Sequence, residues 1–103
     1  MTKSELQGLL NRINSITVSS PESINEYCSL LKLCIEKLQS LKQEDKNPLL
    51  DAWLGMGLQE IRKELNERFS ESFNSLSDEK KKTELLYSRS MVTMTLTNIL
   101  IHL

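Results

Sequence analysis

Residues 20–41, SPESINEYCSLLKLCIEKLQSL, decide the fold. Ser20 suits a helix N-cap and Pro21 the first helical position, where the missing N–H would be unpaired anyway. Glu22 meets the positive helix end. Ile24, Tyr27, Cys28, Leu31, Ile35, Leu38 and Leu41 then share one helical face, and Leu30, Leu33 and Cys34 widen it. A stripe this broad belongs to a helix that touches two or more neighbours. Cys28 and Cys34 are six positions apart. On one helix that is about 9 Å along and about 120° round the axis. A disulfide needs Cα atoms closer than about 7 Å. Both cysteines therefore read as small core fillers, and unbridged thiols point to a reducing, cytoplasmic setting.

The neighbours lie on either side in sequence. Before this helix, Thr2 and Glu5 form a capping box, and Leu6, Leu9, Leu10, Ile13 and Ile16 follow at helical spacing. That run fades at Thr17-Val18-Ser19-Ser20. After it, Gln43-Glu44-Asp45-Lys46 turns to solvent and Asn47-Pro48 repeats the start signal. Leu50, Trp53, Leu54, Leu58, Ile61, Leu65, Phe69 and Phe73 then predict a third helix about 39 Å long. Ser77-Asp78-Glu79 opens a fourth, with Leu85, Val92, Leu96, Ile99 and Leu103 as its seam and Arg89 in the vacant seam position. Thr93-Met94-Thr95-Leu96-Thr97 also alternates with period two and is β-branched, which is strand chemistry. No second strand pairs with it, and an isolated strand is unstable, so helix is expected there too.

Four helices near 3–17, 21–43, 48–74 and 78–101, joined by short loops, predict an all-α fold. The economical form is an antiparallel four-helix bundle, up-down-up-down, with residues 1–103 as one domain. Its expected core is Leu10, Ile13, Leu31, Ile35, Leu38, Leu58, Ile61, Leu65, Phe69, Leu85, Val92, Leu96 and Ile99.

Composition narrows function. Thirteen basic and fourteen acidic residues leave a formal charge of −1, without the excess a general polyanion binder carries. No apolar run is long enough to span a membrane. Met1-Thr2-Lys3-Ser4-Glu5 turns polar at once, unlike a secretory signal. Lys80-Lys81-Lys82 is flanked by Asp78, Glu79 and Glu84 and has no interleaved aromatic, so it reads as a solvated helix start and not as a nucleic-acid site.

Catalytic templates fit poorly. His102 is the one histidine, one residue from the last, and reads as exposed. With Cys28 and Cys34 it lacks the spacing of a zinc site, so no metal and no cofactor is expected. Neither cysteine has the basic setting a nucleophile needs. Gly55 and Gly57 fall inside a helical period with no preceding strand. They read as a close helix approach beside Trp53, not as a phosphate loop. Glu60, Glu64, Glu67 and Glu71 are spaced four, three and four apart, which places four carboxylates along one face of the third helix, with Lys63 and Arg68 interleaved. They form either a solvated ladder or an acidic docking ridge for a basic protein partner. From Asn47 to Leu76 there are five acids against three basic residues, a local charge of −2. Residues 91–103 carry no Asp, Glu, Lys or Arg, and Met91, Met94, Leu100 and Ile101 lie off the main seam. That helix is either central to the core or a surface for a partner or a second copy.

Leu6-x-x-Leu9-Leu10-x-x-Ile13, the polar break to Pro21 and the leucine-rich run Leu30–Leu41 give the chain a layout that resembles the small helical bacteriocin immunity proteins. The same layout fits the looser group of helical immunity proteins that neutralise contact-delivered toxins. The resemblance covers the whole chain at the level of architecture. It implies a cytoplasmic four-helix bundle that binds and neutralises a larger protein. The expected function is therefore non-enzymatic: an inhibitor or immunity protein using Glu60, Glu64, Glu67 and Glu71 against a basic target. The alternative is a self-associating adaptor or subunit, a homodimer through the apolar C-terminal helix.

Overall fold

The computed structural model describes residues 2–16, 21–44 and 47–103. It contains α1 (Thr2–Ser15), α2 (Pro21–Glu44), α3 (Pro48–Arg68), α4 (Glu71–Asn74) and α5 (Asp78–His102). Among the described residues there is no strand, so the fold is all-α, and the Thr93–Thr97 alternation lies inside α5. Three of the starts follow from side-chain caps. Asn47 Oδ1 accepts from the Leu49 N–H at 3.0 Å, Ser70 Oγ from Phe73 at 3.1 Å and Ser77 Oγ from Lys80 at 3.3 Å. The expected Ser20 cap, the expected last residue of the first helix (Thr17), and Asp45-Lys46 lie outside the described residues, and the side chain of Thr2 is likewise not described.

The third helix is shorter than its periodicity predicts. It stops at Arg68, and four residues of α4 follow a break at Phe69-Ser70. Ser70 makes the break: its hydroxyl donates to the Glu67 carbonyl at 2.8 Å while its oxygen caps α4. Asn74 secures the turn by donating to the Ser70 carbonyl at 2.8 Å and to the Arg68 carbonyl at 3.3 Å. Serine and asparagine offer the backbone local hydrogen bonds that compete with helix.

The long helices pack in pairs: α1 on α2 and α5, and α3 on α2 and α5. Glu5 pairs with Lys37 between α1 and α2, and Lys42 with Asp51 at 2.7 Å between α2 and α3. Arg89 of α5 donates to the Ile16 carbonyl at 2.8 Å. The Trp53 ring of α3 stacks on His102 of α5 with centroids 4.6 Å apart. One core runs through all four, and it includes Leu6, Leu9, Leu10, Ile13 and Ile16 from α1. Of the expected core, Ile35 and Leu65 are half-buried against it. Phe69 is a correction: it is 63% exposed, because the break turns Phe73 inward in its place.

Candidate functional site

The acidic ridge does not form as the spacing predicts. Glu60 is half-buried and Glu67 exposed on α3. Glu64 is only 9% exposed and lies on the buried side of that helix. Glu71 is exposed but belongs to α4, beyond the break. The four carboxylates therefore share neither one helix nor one solvated face. Glu67 and Glu71 instead flank the exposed Phe69, over which the Lys32 ammonium sits 5.7 Å from the ring centroid.

Beneath Glu64 the structure assembles a polar cluster that sequence periodicity missed. Tyr27 of α2 and Ser88 of α5 share a buried hydroxyl–hydroxyl hydrogen bond of 2.6 Å. Ser88, not Arg89, fills the vacant seam position; Arg89 sits one residue over and reaches the end of α1. Arg68 is 5% exposed, and its guanidinium carbon lies 4.4 Å from the Phe73 ring centroid. Its Nε and Nη1 have no hydrogen-bond partner among the described residues. Burial pushes the Tyr27 phenol up to about 12; Glu64 adds to the rise, while the Ser88 hydrogen bond and Arg68 oppose it. Burial likewise raises the Cys28 thiol, against the pull of Arg68 and Lys32, and raises the Cys34 thiol to about 12. These groups stay protonated at neutral pH, the reverse of an activated nucleophile. The one sequence signal for this cluster was the Ser-rich run 70–77, which marks the break that swings Phe73 beneath Arg68.

Both cysteines are buried on α2 as free thiols. His102 is exposed, with one ring nitrogen 2.7 Å from the Asn98 carbonyl and its face on Trp53. No group of three or more metal-ligating side chains is present among the described residues. Gly57 is a close approach: a Cβ there would lie 2.5 Å from Ile99 Cδ1 and 3.3 Å from Thr95 Cγ2. Gly55 has open space where a Cβ would stand, so only one of the two glycines serves helix packing. An open groove of about 440 Å³ lies along Asn11, Arg12, Ser15, Ile16, Ser23 and Glu26. Its lining mixes polar and apolar groups in about equal measure and contains no histidine or cysteine.

The outer face of α5 carries a row of exposed apolar residues. Leu85, Val92, Leu96, Ile99 and Leu100 are buried on its inner side. Tyr87, Met91, Met94 and Ile101 stand 44–72% exposed on the opposite side. Met56 of α3 is also exposed; it follows Trp53 by three positions and so lies on the edge of α3 that meets α5. No helix among the described residues is long and apolar enough to cross a membrane.

No protein-family model, curated protein or solved structure matches this chain.

Proposed function

We propose that the protein is a non-enzymatic helical binding module that docks a protein surface onto the outer face of α5. The observation that carries this reading is the exposed row Tyr87, Met91, Met94 and Ile101, on a helix whose other side is already committed to the core. An apolar surface on both sides of one helix suits two partners, the molecule's own core and something outside it. The module is proposed to be an up-down-up-down bundle of α1, α2, α3 and α5. The pairs Glu5–Lys37, Lys42–Asp51 and Trp53–His102 support it, since each joins the early part of one helix to the late part of the other, and so do Ile16–Arg89 and Asn14–Thr93, which descend α1 as they climb α5. Two buried free thiols on one helix suit a cytoplasmic home.

The test is a photo-crosslinking residue placed at Met94 in the cells that make the protein, with Glu26 of α2 as the control position. Adducts with a polypeptide are expected from position 94 and not from 26. No adduct from 94 rejects the docking reading.

Exposed Phe69 between exposed Glu67 and Glu71 supports a second reading, an inhibitor of the immunity type that caps a basic protein. Its mark is association that quickens at low salt and slows when Glu67 and Glu71 are both replaced by Lys. Association indifferent to that double reversal leaves the α5 face as the docking surface.

A further inference from the structure

We infer that the occupant of the α5 face is a second copy of this chain, its α5 lying antiparallel across the first about a two-fold axis. The inference rests on the docking reading above and goes beyond it by naming the partner.

Spacing is the first argument. Tyr87, Met91, Met94, Asn98 and Ile101 step by four, three, four and three, the alternation with which one helix receives the seam of another. A strand or an irregular loop has no matching period. The facing helix must also be free of charge, because positions 90–103 hold no Asp, Glu, Lys or Arg to pair with one. The α5 of a second molecule meets both conditions. Beside the seam, Thr93, Met94, Thr97 and Asn98 line a shallow groove of about 230 Å³ with methyl and amide groups. A methionine or isoleucine of the facing seam fits such a hole.

Area is the second argument. Tyr87, Met91, Met94, Ile101 and the neighbouring Met56 are 44–72% exposed. At about 200 Å² for a large side chain they present on the order of 600 Å². That is at the upper limit of what a monomer leaves open. A stable interface takes about 800 Å² from each partner, which the flanking Ser90, Thr97 and Asn98 bring within reach. The interface is isologous, so each molecule covers the other's row with its own.

Charge sets the direction. A parallel pair would bring Lys80-Lys81-Lys82 of one copy against the same run of the other. Like charges so placed disfavour that pairing. The antiparallel pair crosses near Met94, so that Tyr87 of each copy meets Ile101 of the other, and it sends the two lysine runs to opposite ends.

Sedimentation equilibrium of the purified full chain in reducing buffer, from micromolar to near-millimolar concentration, tests the inference. The mass is expected to rise from 11.9 kDa toward twice that value. Met94→Lys and, separately, Ile101→Lys are expected to raise the dissociation constant about tenfold or more, with helical circular dichroism unchanged because neither side chain enters the core. A wild-type chain that stays monomeric throughout overturns the inference, and so does a dimer indifferent to both substitutions. A monomeric purified chain that still gives an adduct with a different protein from position 94 refutes the second copy and leaves the docking reading standing. Orientation is read from Ile101→Cys under mild oxidation. In the antiparallel pair the two introduced thiols stand roughly 15 Å or more apart and stay unlinked. A covalent dimer would mean parallel packing and overturn the orientation.

Discussion

At the scale of single residues, the pair Gly55 and Gly57 separates helix propensity from packing. Both sit inside α3, where glycine costs about 1 kcal/mol relative to alanine. Open space surrounds a Cβ at Gly55, so Gly55→Ala is expected to stabilise the protein by up to about 1 kcal/mol. At Gly57 the new methyl meets the buried Ile99 side chain, which must move. Overpacking of that kind costs about 1–3 kcal/mol and cancels or exceeds the propensity gain. Denaturant midpoints should place Gly57→Ala below Gly55→Ala, and the reverse order would mean that α3 and α5 do not approach there. The residue scale also shows why the acidic ladder reads so differently in sequence and in space. A spacing of four, three and four defines a helical face only while one helix lasts, and which side of that helix the neighbours cover is not in the spacing. Glu64 lies on the buried side of α3, near enough to Tyr27 for its charge to act on the phenol, and Glu71 left the helix altogether.

At the scale of elements, the break between α3 and α4 is the departure from the periodic reading that matters most. Phe69 and Phe73 are four apart and would share a face in a continuous helix. Ser70 ends that helix and caps the next, so one phenyl ring turns to solvent and the other beneath Arg68. Ser70→Ala removes the cap and the Ser70–Glu67 hydrogen bond together. It is expected to destabilise the protein by about 1 kcal/mol, within the usual 0.5–2 kcal/mol for an N-cap, as measured in a urea titration. A stabilised variant would mean that the continuous helix was the better structure. The run Ser70-Glu71-Ser72-Phe73-Asn74-Ser75 carried the signal for this break in its poor helix formers. Hydrophobic period alone overrode it, because Phe73 fell in register with the seam.

At the scale of the whole molecule, burial by α2, α3 and α5 together sets an alkaline limit to stability. Tyr27 and Cys34 titrate near 12 in the folded protein, against 10 and 9 when exposed to water. Below about pH 8 neither group releases its proton in either state, so both contributions are complete. As pH rises toward 12 the unfolded chain has lost protons that the native state retains. The unfolded state then binds fewer protons, and stability falls by up to about 1.4 kcal/mol per pH unit for each group. Denaturant midpoints between about pH 8 and pH 11 should decline, and Tyr27→Phe should decline less steeply than the wild type. Equal slopes would show that Tyr27 is open to water. The same whole-molecule view distinguishes the two faces of α5. Its apolar residues are spread round the axis, and only the packing of α1 and α3 decides which of them meet the core.

The sequence by itself determined the all-α class, the starts of α3 and α5, and most of the core, because caps act within four residues and a helix repeats its burial pattern every turn or two. Leu6 to Ile16, Leu31, Leu38, Ile61, Val92 and Leu96 went where their period sent them. It also determined that Cys28 and Cys34 stay apart on one helix. Tertiary structure alone decided that Glu64 and Arg68 are buried, that Tyr27 meets Ser88 across 61 positions, that Gly57 and not Gly55 is the close approach, and that Tyr87, Met91, Met94 and Ile101 remain uncovered. The physical reason is common to all four. A periodicity names the residues that share a face, while the burial of that face depends on which neighbour the rest of the chain brings to it.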